Sequence, residues 1–450
     1  MRPQSYWLIA LLALGTIGGA VTLSLTSGQT PTRPTNPENP PITPPAIKPV
    51  AATGNGPGLV TPAVANSPAL PKVVHDLDKM PAFTRQVHLS AQRGAEWLHR
   101  VDNPVTGRFL PGLVPALNVP LEGDHFLHQA EATLALARAA RYFGDDRYLL
   151  KARQAVLSLM AETRPDPADP TCRATTLPSL VVNRLAAAGL LLAIIHELPS
   201  PADDLVQQGE ELANFIRKQQ RPDGSLHCTD NPDDPPAADF TDGTAGCSGA
   251  ALYGIMLSHR HRPAAWKLDL VRRAVPFYRT WWKEHPHPEF VSWQSAACAQ
   301  AYQVTHDPVC AAFVFEMNDW LCDQQYTPSN ARHQSWVGGF KGFADGKPTH
   351  ALPTAAGASR VEGLVAACQL TRQVPDAARF ERYRAALAAW AQFQTTLQYT
   401  EDNSRHFATH YRPLLTGGFH TSAQDGNLLL ACNAQSVSGL LQYLAHIADR

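Results

Sequence analysis

The chain has 450 residues and a formal charge of −1, with 38 lysine and arginine side chains against 39 aspartate and glutamate. No block of basic residues is present that would neutralise a run of phosphates, which argues against nucleic acid as a partner. Length alone does not separate two or three ordinary domains from one large repeat fold.

The first 25 residues predict an export signal. Arg2 precedes Tyr6–Leu25, about 20 residues without a charge, which is long enough to cross a bilayer as one helix. Two interpretations stay open: an uncleaved membrane anchor over residues 1–25, or a signal peptide removed near Gly18-Gly19-Ala20. The first predicts a membrane-anchored, extracytoplasmic protein in the periplasm or at the cell surface, and the second a secreted one.

Residues 26–80 predict a disordered linker, because proline, threonine, asparagine, alanine and glycine dominate and apolar periodicity is missing. Eight cysteines in an exported chain make disulfides an option, with Cys228–Cys247 as the favoured pair and Cys298–Cys310 as the second. The equally open alternative is that these cysteines are small buried side chains.

From Pro81 onward, helical patterns alternate with polar loops, and strand-like alternation is almost absent. The predicted helices are 83–101, 125–143, 147–162, 179–197, 202–220, 244–259, 264–284, 292–304, 308–325, 354–373, 377–398 and 428–447. Twelve helices over residues 81–450 make six pairs of about 61 residues each, a size typical of a two-helix repeat.

In each pair, the helix that follows the long loop is rich in small residues, which lets neighbouring helices approach closely. Examples are Leu185–Gly189, Ala296–Ala299 and Ala434–Gly439. The helices that precede the long loops carry bulkier and more charged residues, which suits an outer ring with one solvated face. This predicts an all-α fold with an inner and an outer ring.

The alternation and the unit length resemble the α/α-toroid, or (α/α)6 barrel, superfamily of six-hairpin and terpenoid cyclase-like folds. The resemblance covers residues 81–450 and is not specific to one family. It implies a funnel built from long loops and the N-terminal ends of the inner helices. The superfamily includes glycoside hydrolases, polysaccharide lyases, sugar epimerases, terpenoid cyclases and prenyltransferases.

The stretch His333–Leu370, in which a long loop runs into a predicted helix, supplies the densest aromatic and polar grouping. Its aromatic residues offer a stacking surface for a sugar, and its polar residues offer titratable and hydrogen-bonding groups. The alternative is that the aromatic residues only hold the loop in place. The predicted substrate-binding residues here are Trp336, Phe340, Phe343, Asp345, His350 and Arg360, and Glu362 is predicted to be catalytic.

A related arrangement, Gly-Gly-Phe followed by a polar loop, recurs near the C-terminus. His406 and His410 are four apart, as in some metal sites, but a third ligand is missing, so we predict neither a metal nor a cofactor. A tyrosine beside an arginine loses its proton more easily, the property a base needs. From this loop, Tyr411 and Asp425 are predicted to be catalytic, and Arg412, His420 and Gln435 to bind substrate.

Glu122 and Asp124 precede the second helix, with Gln129 and Glu131 just inside it. Asp124 is a good N-cap, yet Glu122 or Asp124 can also face Glu362 of a different unit, and two such carboxylates can act as acid and base across a glycosidic bond. Both are included as candidate catalytic residues.

The sequence therefore predicts a carbohydrate-active toroid that acts as a hydrolase, lyase or epimerase on a glycan or another small molecule. The first alternative is a toroid without catalysis that binds a glycan, peptide or partner protein. An enzyme requires Glu122, Asp124, Glu362 and Asp425 to converge on one cavity, whereas a binding protein lets them scatter. Isoprenoid cyclisation is third, since the Asp-x-Asp-Asp and Gln-Trp motifs are missing.

Overall fold

The computed structural model describes residues 70–71, 73–178, 181–228, 246–344 and 346–448. The predicted anchor, most of the predicted linker and Asp345 lie outside these ranges. Among the described residues, no helix is both long and apolar enough to cross a membrane.

The described part of the chain contains thirteen α-helices, twelve of which correspond to the predicted ones. The inner ring consists of α2 (Phe126–Phe143), α4 (Arg184–Glu197), α6 (Cys247–His261), α8 (Pro288–Thr305), α10 (Val361–Leu370) and α13 (Leu430–His446). Each packs on the next, and α13 closes the ring on α2. The outer helices are α1 (Ala82–Arg100), α3 (Asp146–Met160), α5 (Asp203–Lys218), α7 (Ala265–Glu284), α9 (Pro308–Asp323) and α11 (Ala377–Thr396). The additional helix, α12 (Arg412–Leu415), is a single turn inside the last long loop.

Small residues hold the inner helices together, as the sequence predicts. A Cβ on Gly189 of α4 would lie 2.5 Å from the backbone of Ala250, and one on Gly254 of α6 would lie 2.5 Å from the Gly189 carbonyl oxygen. The two backbones therefore touch, and a larger side chain at either glycine would separate them. The residues of α4 are nearly all buried, whereas α5 buries only one face.

Helix starts differ from the predictions where capping decides them. The predicted helix 179–197 begins at Arg184, because the Asn183 side chain accepts a hydrogen bond from the Ala186 amide. The predicted helix 292–304 begins at Pro288, because proline suits the first turn and His287 caps it. The prediction that Asp124 is the N-cap of α2 is wrong, because His125 is the N-cap and its side chain accepts a hydrogen bond from the His128 amide.

In the described residues, ten short strands lie in the long loops, contrary to the expectation of almost none. They are β1 (Asp102–Asn103), β2 (Arg108–Phe109), β3 (Gly112–Val114), β4 (Val119–Pro120), β5 (Thr163–Asp166), β6 (Asp169–Thr175), β7 (Gly342–Ala344), β8 (Lys347–Thr349), β9 (His420–Ser422) and β10 (Asp425–Leu429). In one sheet, of order β4-β3-β10-β9, Leu113 pairs with Leu428 and joins the first long loop to the last. Pairing across 315 positions of sequence leaves no local periodicity.

Three buried or half-buried glutamines form a repeated clamp between outer helices and loops. Each side-chain amide donates to a glycine carbonyl of the following turn and to a carbonyl of the next outer helix. Gln220 contacts Gly224 and Leu270, Gln325 contacts Gly338 and Ala386, and Gln398 contacts Gly417 and Ser90. The last two turns contain the repeated Gly-Gly-Phe, so the predicted internal repeat is a structural one.

The eight cysteines are free thiols in the described residues, so neither expected disulfide is formed. Cys228 and Cys247 are nevertheless hydrogen-bonded neighbours. Cys298 and Cys310 are buried, and burial raises the pKa of both thiols. Their places match the alternative of small buried side chains.

Candidate functional site

The long connections all precede inner helices, and the connections that follow inner helices are short. Because inner and outer helices alternate in direction, the long loops gather around the N-terminal ends of the inner ring. This mouth is the funnel expected from the repeat, and polar side chains line its base.

Glu131, in the second turn of α2, is the most unusual group in the funnel. Gln435 of α13 donates its side-chain amide to both carboxyl oxygens of Glu131, at 3.1 Å each. Burial raises the pKa of Glu131 to about 7, Gln435 offsets part of that rise, and nearby Glu289 adds to it. Among the residues that the structure describes, no arginine or lysine pairs with this carboxyl, so it remains largely protonated in weakly acidic solution.

Glu289, an exposed residue, acts electrostatically on Glu131 from the opposite side of the ring. It lies in the first turn of α8, which is three positions from α2 in either direction around the ring. Arg360 is within electrostatic range of Glu289 and lies over the Phe340 ring at 5.4 Å. Burial lowers the pKa of Arg360 to about 10, and Glu289 opposes the change, so the guanidinium stays charged at neutral pH.

Aromatic and histidine side chains surround the two carboxyl groups. Trp293 lies one helical turn after Glu289, and its ring centroid is 5.2 Å from that of Tyr253. His287 contacts the edge of Phe343 at 4.9 Å. At the start of α2, His125 and His128 stack at 3.9 Å, and burial first and then His125 lower the pKa of His128 to about 4.

The base of the funnel is a small pocket of about 30 Å³, lined in part by Glu131, Trp293, Gln435 and Ser438. This volume holds one or two water molecules. A ligand larger than one or two water molecules therefore does not fit inside the pocket.

Below this pocket, an ion-pair cluster crosses the ring axis. Arg138 of α2 donates to both oxygens of Glu362, at 2.6 and 2.9 Å, and lies 3.7 Å from Glu197. The three side chains are 6 to 10% exposed. Burial alone would lower the pKa of Arg138, but Glu362, Tyr253 and Glu197 raise it above the ordinary arginine value. The Arg138 guanidinium is therefore charged at any pH at which the protein is folded.

The predicted catalytic residue Glu362 thus faces the axis but is held by Arg138 and by the amide of Gln442. Arg360, which the sequence places beside it, instead donates to the Lys341 carbonyl. Two of the four predicted acids, Glu122 and Asp124, are exposed on the loop before α2, and Asp124 lies 3.7 Å from Arg108. Asp425 accepts from the Asn427 amide in the β10 hairpin. These four carboxyl groups therefore do not converge on one cavity.

The predicted binding residues of the 333–352 loop are divided. Trp336 is buried against Tyr326 and His333, where it holds the loop. His350 is exposed, whereas Phe343 approaches the funnel beside His287.

The last long loop is mainly structural in its contacts. Arg412 donates to the carbonyls of Phe407 and Arg405, and His420 contacts the Ser422 carbonyl. Burial raises the pKa of Tyr411, opposite to the expected lowering by Arg412. His406 and His410 lie in turns rather than on one helical face. Of the site residues predicted in this region, only Gln435 lines the funnel base.

Glu131, Glu289 and Trp293 were absent from the predicted site. A signal for Glu131 and Trp293 exists in the sequence, because residues on one helical face recur seven positions apart. Inner helices carry large or polar residues at that spacing where small apolar residues otherwise dominate: Glu131 and Arg138, Trp293 and Gln300, Glu362 and Gln369, and Gln435 and Gln442. All eight line the funnel base or a second cavity further along the ring axis, and Glu362 lines both.

No protein-family model matches the chain, and no curated protein matches its sequence. Solved structures share its fold. Cellobiose 2-epimerase from Bacillus thermoamylovorans is 12% identical with a TM-score of 0.58, covering 81% of this chain and 100% of its own. An α-1,6-mannanase from Salegentibacter sp. is 12% identical with a TM-score of 0.57, covering 80% and 99%. The unsaturated glucuronyl hydrolase from Streptococcus agalactiae is 9% identical with a TM-score of 0.55, covering 84% and 98%.

These similarities establish the fold class: residues of this chain form an (α/α)6 toroid. The neighbours are carbohydrate-active toroid enzymes by name, and at such low identity the likeness extends to the fold alone.

Proposed function

We propose that the protein is a carbohydrate-active enzyme that hydrolyses a glycosidic bond in the funnel. The observation that carries this proposal is the Glu131 carboxyl, whose pKa is raised to about 7 beside a second carboxyl, Glu289, on the opposite inner helix. A carboxylic acid that keeps its proton near neutral pH, facing a carboxylate, is the acid and base set that glycoside hydrolysis needs.

In the proposed step, Glu131 donates its proton to the glycosidic oxygen as the bond to the anomeric carbon breaks. A water molecule attacks that carbon from the opposite side and gives a proton to Glu289. Because α2 and α8 lie on opposite sides of the ring, we propose that the sugar and the attacking water lie between the two carboxyl groups and that the anomeric carbon is inverted.

Other residues of the funnel hold the substrate in this account. Trp293 offers an aromatic face for the sugar ring, next to Glu289 on the same helical face. Gln435 keeps the Glu131 carboxyl fixed through two hydrogen bonds. Arg360 stays near Glu289, which favours the charged form of the Arg360 guanidinium.

The test uses the full chain with a panel of oligosaccharides that includes cellobiose and α-1,6-mannotriose. Glu131→Gln and Glu289→Gln are expected to lower kcat by about 10²–10⁴-fold each, the usual contribution of an acid or base. Glu284→Gln, an exposed glutamate at the end of α7, is the matched control and is expected to keep full activity. Equal activity in all four proteins would contradict the proposal.

A binding toroid is the second candidate, because the four sequence-predicted acids scatter rather than converge. It predicts oligosaccharide binding by calorimetry without turnover, and unchanged affinity in Glu131→Gln. Isoprenoid cyclisation needs a deep apolar cavity. The two cavities of the described residues are lined in part by charged side chains, which argues against that function.

We further propose that the enzyme acts outside the cytoplasm, on the strength of the uncharged segment Tyr6–Leu25. Fractionation of cells that express the full chain, with and without residues 1–25, tests this. Recovery of both chains in the cytoplasmic fraction would contradict it.

A further inference from the structure

A second cavity lies on the ring axis at the end opposite the funnel. Its volume is about 530 Å³, and all six inner helices line it, mainly from their C-terminal halves. Glu362 lines both this cavity and the funnel base, so the Arg138–Glu362 pair forms part of the wall between them. The volume lies in the range of sites for small molecules.

The charges around this cavity leave a positive excess. Three arginines face two glutamates: Arg138 binds Glu362, and Arg141 binds Glu197 at 2.6 Å. Arg260, in the last turn of α6, makes no hydrogen bond or ion pair within the described residues. Its guanidinium is therefore available to a ligand.

Amide side chains line another part of the cavity. Gln300 of α8 and Gln369 of α10 are half-buried, and neither side chain hydrogen-bonds within the part of the chain that the structure describes. Each offers donors and an acceptor, the combination that binds hydroxyl groups. Half-buried amides without protein partners at a cavity wall suit a hydroxylated ligand.

The helix ends restrict the charge of that ligand. C-terminal ends of helices carry partial negative charge, and six of them surround the cavity. This field disfavours a doubly charged phosphate, whereas one arginine can still hold a single carboxylate through paired hydrogen bonds.

We propose that this cavity is a second ligand site, which binds a monosaccharide carrying one carboxylate. Arg260 holds the carboxylate, and Gln300 and Gln369 bind hydroxyl groups of the sugar. The site is separate from the funnel, and the proposal does not depend on catalysis there.

Titration calorimetry of the full chain with D-glucuronate tests the proposal, with D-glucose and glucose 1-phosphate as comparison ligands. Glucuronate is expected to bind with one-to-one stoichiometry and at least tenfold more tightly than either comparison ligand. Arg260→Ala and Gln300→Leu are each expected to weaken binding at least tenfold. Arg273→Ala, at an exposed arginine of the outer helix α7, is the matched control and should remain within twofold.

A funnel variant separates the two sites. Arg360→Gln is expected to leave glucuronate affinity within twofold, since Arg360 lies at the other end of the axis. Thermal unfolding of each variant confirms that it is folded. The proposal is overturned if millimolar glucuronate gives no binding, if folded Arg260→Ala binds normally, or if Arg360→Gln weakens binding instead.

Discussion

Two glutamates of the inner ring, Glu131 and Glu362, show how one residue type acquires opposite properties at the two levels of the axis. Both are largely buried and both accept a glutamine amide. Glu362 also has the Arg138 guanidinium at 2.6 Å, whereas Glu131 has a second carboxyl nearby and no cation paired with it. A buried carboxyl with a cation serves as a structural charge, and one without a cation becomes an acid.

The largest expected effect comes from removing the cation. Arg138→Met leaves Glu362 and Glu197 buried without their shared partner, and the free energy of unfolding should fall by about 3–5 kcal/mol. Urea denaturation measures the change. Arg384→Met, which breaks an exposed pair with Glu381, is the control and should cost less than about 1 kcal/mol.

A double variant tests whether the loss is due to an unpaired charge. Arg138→Met combined with Glu362→Met removes both partners, and Arg141 still pairs with Glu197. We expect the double variant to be more stable than Arg138→Met alone by about 2 kcal/mol, since a buried pair replaced by apolar side chains costs little. If the two losses simply add, the ion pair does not explain the stability of the axis.

Glu131 should make the stability of the protein depend on pH. Its folded-state pKa of about 7 exceeds the ordinary value of 4.5. The contribution of Glu131 to stability is therefore complete below pH 4.5 and is lost as the pH rises through 7, by up to about 3 kcal/mol. Glu131→Gln cannot ionise, so it should gain stability relative to the natural chain between pH 4.5 and 8. Parallel pH curves for the two proteins would contradict the assignment.

A smaller shift is expected from Gln435→Leu. The Gln435 amide lowers the pKa of Glu131, so its loss should raise that pKa further. If Glu131 is the general acid, the alkaline limb of kcat/KM should move to higher pH by less than about one unit. Glu362→Gln should leave this limb in place. If the limb moves in Glu362→Gln instead, the general acid is Glu362, as the sequence predicts, and not Glu131.

The sequence predicts the two rings well because helix periodicity, small residues and capping are local signals. Asn183, Asp307 and Asp376 each cap a helix whose end is readable within a few residues. The glutamine clamps are harder to find, since Gln220, Gln325 and Gln398 precede their glycines by 4, 13 and 19 residues. Loop length varies while the contact stays the same.

The candidate site is less predictable for a physical reason. The pKa of Glu131 depends first on its burial in the closed ring, and then on Gln435 and Glu289, which are 304 and 158 positions away in sequence. Glu362 is an equally good candidate from sequence, because its ion-pair partner, Arg138, is 224 positions away and no local pattern reveals the pair. The contacts that distinguish Glu362 from Glu131 form only when the ring of inner helices closes, so the sequence does not show them.

Titration of Glu131 itself tests the central claim most directly. The full chain with ¹³C-labelled glutamate is followed by NMR across the pH range, and Glu131→Gln identifies the resonance. The account predicts a carboxyl that titrates near pH 7 and disappears in Glu131→Gln. A Glu131 resonance that titrates at the ordinary value of 4.5 would contradict it.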